Sequence, residues 1–192
     1  GPYPLGMPPA KFLREYWQKQ PLLIRNAFSG FVSPVQPEDL AGLACEDGVL
    51  ARLIEHDKAN DSWRVRHGPF AEADFPGLPD HDWTLLVQGL DLHVDAAHEL
   101  LAKFRFVPDA RLDDLMLSYA TDGGGVGPHL DAYDVFLLQV HGAREWRIGR
   151  VAEPRFAADV PLKILTNFRV EQRWVLVPGD LLYLPPLWAH DG

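Results

Sequence analysis

Gly123-Gly124-Gly125-Val126-Gly127-Pro128-His129-Leu130-Asp131-Ala132-Tyr133-Asp134-Val135-Phe136 (GGGVGPHLDAYDVF) places a histidine and an aspartate two residues apart, between a glycine-dense segment and an apolar run. A phosphate loop needs a Gly-Lys-Ser/Thr ending that opens a helix. Here Pro128 and a β-rich run follow instead, and there is no lysine. The glycines therefore read as backbone that something must approach closely. In an extended segment, residues i and i+2 point to the same side, and neutral imidazole with carboxylate suits a first-row divalent metal.

Two ligands are too few, so a third must come from elsewhere among the eight histidines. His56, His67, His81, His93, His98 and His141 have no comparable setting and read as surface or packed residues. His190 differs. It follows Val177-Pro178-Gly179-Asp180-Leu181-Leu182-Tyr183-Leu184-Pro185-Pro186, a turn, a strand and a second turn that would deliver a side chain to the mouth of a barrel. His129, Asp131 and His190 make a two-histidine, one-carboxylate set that leaves one face of an octahedral Fe(II) open.

The surroundings support a β core. From residue 112 the chain runs LMLSYA, DVFLLQV, REWRIG, RWVLV and DLLYL, punctuated by GGGVG, HGA and PGD, the rhythm of a sandwich or barrel. Upstream, helices are expected over 9–19 (Pro9 at its start), 37–46 (Pro37, with acids in the first turn) and 94–104. Short strands are expected at 22–25, 50–55, 62–67 and 83–88. No composition break marks a linker, so residues 1–192 read as one domain, a mixed α/β portion (1–111) laid against a β core (112–192). The chain stops two residues after His190 and reads as a piece of a longer protein.

Residues 134–149 read as a hairpin with Gly142-Ala143 as a two-residue type II′ turn. In that register His141 pairs with Arg144, and Arg144 shares the face of Asp131 and points to the interior. A buried arginine there calls for an anion. A straight strand would set Asp131 and Arg144 roughly 40 Å apart, so the strand has to curl. The other reading makes Arg144 a rim residue paired with Glu145 or Asp134.

Composition narrows the class. An apolar content of 47% is that of a globular chain, and no apolar run reaches the length of a membrane span. The proline-rich N-terminus lacks the features of a signal peptide. The single cysteine, Cys45, excludes an internal disulfide and a thiolate-rich zinc site. These features favour the cytoplasm. The net charge of −9 argues against a general affinity for nucleic-acid backbone and is compatible with a basic partner; no direct sequence-specific nucleic-acid binding is expected.

Taken together, LDDLMLSYATDGGGVGPHLDAYDVFLLQVHGAREWRIG and PGDLLYLPPLWAHDG resemble the bacterial branch of the JmjC 2-oxoglutarate oxygenases, the ribosomal oxygenases that hydroxylate an arginine of a large-subunit ribosomal protein. FLREYWQKQPLLIRNAF, PEDLAGLACED, WRVRHGPF and WTLLVQG extend the likeness from about Phe12 to Gly192. The resemblance implies a mainly β chain with N-terminal helices, built on a double-stranded β-helix of the cupin or jelly-roll, JmjC-like kind. It implies Fe(II) on His129, Asp131 and His190, with O2 and 2-oxoglutarate as co-substrates. Arg144 would hold the distal carboxylate, with Ser118 as a second candidate. A substrate guanidinium would sit near Asp114 and Tyr133. Family members continue into a dimerisation segment and are homodimeric. Two alternatives stay open: a histidine-directed ribosomal hydroxylase, and a non-catalytic cupin-like binding module.

Overall fold

A computed structural model describes residues 3–192. In chain order the elements are α1 (Pro9–Glu15), β1 (Leu22–Ile24), α2 (Pro37–Ala44), β2 (Ala51–Asp57), β3 (Ser62–His67), β4 (Trp83–Val87), α3 (Asp95–Ala102), β5 (Leu117–Ala120), β6 (Val135–Leu138), β7 (Arg144–Arg150), β8 (Gln172–Leu176), β9 (Leu181–Leu184) and β10 (Trp188–Asp191). The chain is mainly β with short N-terminal helices, as expected. Among the described residues no helix is long and apolar enough to cross a membrane.

The residues fall into two compact units. The first comprises the chain up to Ser33 together with Gly127–Ala158 and Lys163–Gly192. It holds two three-stranded antiparallel sheets, ordered β1-β9-β6 and β10-β7-β8. Leu182, Leu184, Val135, Leu137 and Leu23 from one sheet pack against Trp146, Ile148, Leu176, Trp174 and Trp188 from the other. Burying these side chains supplies the main stabilisation, about 1.5–3 kcal/mol for each that is fully removed from water and less for the partly buried Leu23, Val135, Leu137, Trp174 and Trp188.

β9 is buried throughout, which explains a run of apolar residues without alternation. Leu182 and Leu184 face the opposing sheet. Tyr183 faces outward, where its ring lies 4.9 Å from Phe12 of α1, 5.1 Å from Phe136 and 5.8 Å from Trp17. Its hydroxyl accepts from Gln18 N–H and donates to Asp134. Burial, and then the bond to Asp134, push the Tyr183 phenol far above its ordinary pKa.

Asp180, just before β9, locks that strand to β1. It is 3% exposed, and its carboxylate accepts the N–H groups of Asn26 (2.8 Å) and Val177 (3.0 Å) and a bond from Arg25 (2.8 Å). Burial opposes its ionisation. The two backbone donors and the guanidinium outweigh burial and hold the carboxyl below the usual carboxylate range.

The second unit comprises Pro34–Val126 and Asp159–Leu162. Its sheet is ordered β3-β2-β4-β5. One face of the sheet, with Leu53, Leu85 and Val87, packs with Leu40 and Ala44 of α2 and Ala97 of α3. Pro37 opens α2, where Asp39 accepts the N–H of Gln36. The rhythm of the sequence groups β5 with the β core, but the strand pairs with β4 in this sheet.

The glycine-dense segment behaves as expected at two positions. A Cβ on Gly124 would come within 2.3 Å of the Trp83 carbonyl oxygen. Gly127 has φ +77° with Ile164 close against it.

The expected hairpin over 134–149 does not form. β6 pairs with β9, whereas β7 pairs with β8 and β10 in the other sheet. The physical reason lies at Gln139. Its N–H and C=O are taken by the Asp180 carbonyl and the Gly179 N–H, both at 3.0 Å. The chain is therefore still tied to the β9 side as it leaves β6, and Gly142, with φ +62°, turns it across to the opposite sheet. The curl that the distance argument demanded is this crossing. β10, read in the sequence only as a turn and an end, is a strand on the edge of β7.

Candidate metal centre

Both histidine ligand candidates are placed by main-chain hydrogen bonds. His190 sits in β10 opposite Ile148 of β7. On the other edge of β10, His129 and His190 form an isolated antiparallel bridge, each N–H donating to the other's carbonyl at 3.0 Å. Leu187 N–H donates to the Asp131 carbonyl at 3.0 Å and seats the following turn against the same segment. The motif around His129 thus becomes an extra strand-like edge, and this brings the distant His190 alongside.

The three side chains converge, their ligand atoms all within 4.8 Å of one another. His190 Nε2 lies 3.3 Å and His129 Nε2 3.8 Å from Asp131 Oδ2. His190 is 2% exposed. Its Nδ1 faces the Trp188 carbonyl at 3.0 Å, and Nδ1 of His129 faces the Gly127 carbonyl at 2.9 Å. A carbonyl oxygen can only accept, so Nδ1 carries the proton in both rings and each Nε2 is left to offer its lone pair.

The electrostatics agree. Burial, and then the neighbouring His190, push the His129 imidazole below its ordinary pKa, which favours the neutral ligand form. Burial works against ionisation of Asp131, but the closeness of His190, and then of His129, holds its carboxyl low. Two lone pairs and a carboxylate this close together could hold a cation, and their types fit a two-histidine, one-carboxylate iron centre.

Arg144 reaches the same face by a route other than the one expected. Along β7, Arg144, Trp146 and Ile148 alternate to one side, and Ile148 is opposite His190. The Arg144 guanidinium lies over the Trp146 ring at 5.3 Å, and that ring lies 5.8 Å from His190. Trp146 is therefore a link that the sequence reading missed. The alternation in REWRIG, with Trp146 two residues after Arg144, was the available signal.

No carboxylate among the described residues lies within ion-pair distance of Arg144; Glu145 pairs with Arg147 and Arg173 instead. This disposes of the rim pairing with Glu145 or Asp134. Burial lowers the Arg144 pKa, partly offset by Asp191, yet an arginine stays charged. A half-buried, unpaired fork on the metal-facing side fits an anionic co-substrate such as 2-oxoglutarate. Asp191, also missed, bonds to Arg147 at 3.1 Å; burial raises its carboxyl despite that partner.

The remaining candidates are placed as follows. Tyr133 is 62% exposed, two residues past Asp131 in the first unit. Ser118 lies in β5, opposite Leu86, in the second unit. Asp114 is in that unit too, where its Oδ2 accepts the Gly89 N–H at 2.7 Å.

Comparison with known proteins sharpens these observations. Residues 99–192 match the family described as JmjC domain. The chain is 42% identical over 182 residues to the Escherichia coli ribosomal protein uL16 3-hydroxylase, covering 94% of this chain and 48% of that relative. It is 40% identical over 192 residues to a probable ribosomal oxygenase of Haemophilus influenzae, covering 98% of this chain and 47% of that one. The solved structure of YcfD, a ribosomal oxygenase from Escherichia coli in complex with cobalt and 2-oxoglutarate, superposes with a TM-score of 0.85 at 40% identity, over 97% of this chain and 48% of that one. The chain spans about half the length of each of these relatives.

Proposed function

We propose that the chain, whose residues 99–192 match the JmjC domain family, is the catalytic part of an Fe(II)- and 2-oxoglutarate-dependent hydroxylase acting on an arginine of a large-subunit ribosomal protein. The single observation carrying this reading is the convergence of His129, Asp131 and His190 within 4.8 Å, with both Nδ1 atoms committed to carbonyl oxygens. The 42% identity to a ribosomal protein uL16 3-hydroxylase supports the substrate class. So does the net charge of −9, which favours encounter with a basic ribosomal protein.

The groups bound here would supply oxygen activation: O2 and 2-oxoglutarate are converted to succinate and carbon dioxide while one oxygen atom enters a substrate C–H bond. The rest is the work of the chain. His129, Asp131 and His190 would hold the metal and leave the opposite coordination face open. The Gly127 and Trp188 carbonyls fix each imidazole in its tautomer and orientation. Arg144 would bind the distal carboxylate through its planar fork, steadied by Trp146. Trp146 and Ile148, both buried, keep water from the inner side of His190. Tyr133, exposed beside Asp131, is assigned to the substrate side. The reaction belongs in the cytoplasm, and the full-length protein to a homodimer, under the same proposal.

Anaerobic addition of Fe(II) and 2-oxoglutarate to the chain should produce the charge-transfer absorption of the chelate. Mass spectrometry of ribosomal protein uL16 fragments incubated with the aerobic enzyme should then find one added oxygen on an arginine. Addition on a histidine instead would move the substrate residue, and no absorption with either metal or co-substrate would remove the reading.

A further inference from the structure

The turn that joins β9 to β10 contains a residue whose conformation its own side chain does not reward. Pro185-Pro186-Leu187-Trp188 closes through Trp188 N–H to the Pro185 carbonyl at 3.4 Å, with Leu187 at φ +66° in the third position, where glycine is the usual occupant. Six described non-glycine residues have positive φ. The other five are Gln18, Asn26, Asp61, Asp82 and Asp159, polar side chains that can bond locally. Leucine has no such compensation, and its side chain is 60% exposed, so core packing does not select it either.

Its position gives the conformation a purpose. The Leu187 N–H is bonded to the carbonyl of Asp131, and His190 follows three residues later. Tyr133, 62% exposed, stands on the neighbouring segment two residues past Asp131. Backbone strain kept beside a functional centre points from an observed outlier to a role. We propose that Leu187 is a substrate-contact residue at the mouth of the metal centre, held outward by its left-handed turn to pack against the aliphatic part of the bound ribosomal-protein segment. This rests on the hydroxylase reading above and names a group that determines which segment is accepted.

The test is fluorescence polarisation of labelled ribosomal protein uL16 fragments on the chain loaded with Mn(II) and 2-oxoglutarate, which needs no turnover. Leu187→Gly should weaken binding of the preferred fragment by about tenfold, about 1.4 kcal/mol. It should keep the Fe(II)–2-oxoglutarate charge-transfer absorption and show no fall in melting temperature, because glycine relieves the turn. Leu187→Met, which retains apolar bulk, should bind within about twofold of the parent, a difference well under 1 kcal/mol. Unchanged affinity in Leu187→Gly overturns the proposal, as does loss of affinity together with the absorption, which would mean that Leu187 acts only through Asp131. A fragment that binds but is never oxygenated refutes the hydroxylase reading and leaves the Leu187 comparison intact. Failure of the parent chain to bind any fragment overturns both.

Discussion

The main chains of His129 and His190 exchange both of their hydrogen bonds, at 3.0 Å in each direction. The two rings are therefore brought together by backbone pairing and do not depend on a metal to meet. Truncating a ring leaves this pairing intact, so ligand loss and unfolding separate. His129→Ala should bind Mn(II) at least about 100-fold more weakly by calorimetry, beyond the range of outer-shell substitutions. Its metal-free melting temperature should stay close to that of the parent. Equal Mn(II) affinity in the two proteins would take His129 out of the ligand set.

Metal removal gives a second, independent readout. A ligand that binds only the folded chain, present at 100 times its dissociation constant, stabilises by about 2.7 kcal/mol. For a chain of this size that is roughly 5–11 °C in melting temperature. Mn(II) should give a shift of that order, EDTA should reverse it, and His190→Ala should show none. A full shift in His190→Ala would place the ion elsewhere.

Much of this centre was legible in the sequence because its signals are local. His129 and Asp131 declare themselves by i, i+2 spacing, and the turns around β9 announce His190. What the sequence hid was pairing. Gly142-Ala143 carries good turn chemistry, yet the bonds from Gln139 to Gly179 and Asp180 send the chain to the other sheet. Such long-range bonds leave no trace in local alternation. Arg144 still arrives on the metal-facing side because the face of β7 is set by alternation, whichever strand is its neighbour. Trp188–Asp191 was missed as a strand because its partners, β7 and the His129 segment, are both far away in the chain. Asp114, expected near a substrate guanidinium, accepts the Gly89 N–H through one of its two oxygens, a long-range bond that the local sequence does not announce.

Asp180 predicts an acid-range effect with a definite sign. Its folded-state carboxyl is held below the usual value, against burial, by Val177 N–H, Asn26 N–H and Arg25. The unfolded chain then binds the proton more readily, so the contribution is fully present above the unfolded value of about 3.9 and is lost as pH falls through the lower folded value. Asp180→Asn should be less stable than the parent at pH 7, and the gap should narrow as pH drops below about 4. Urea titrations across that range check it; a gap that widens on acidification would contradict the assignment. Asp180→Ala should cost more, about 1–3 kcal/mol for each buried N–H left without an acceptor.

Under the proposed function, Arg144 should separate cofactor binding from metal binding. Its guanidinium has no carboxylate partner among the described residues and lies over the Trp146 ring, whose centroid is 5.8 Å from that of His190. Hydrogen bonds to charged groups contribute about 1.5–3 kcal/mol. Arg144→Ala should thus raise the KM for 2-oxoglutarate roughly 10- to 150-fold while leaving Mn(II) affinity near the parent value. Arg144→Lys should recover only part of the loss, since an ammonium cannot reproduce the two-pronged fork. Trp146→Leu should do what neither can. By removing the ring shared by Arg144 and His190, it should weaken 2-oxoglutarate and Mn(II) together and shift the charge-transfer band. If Arg144→Ala instead weakened metal and co-substrate equally, the fork would be acting through the His190 side of the centre, and the distal-carboxylate assignment would fail.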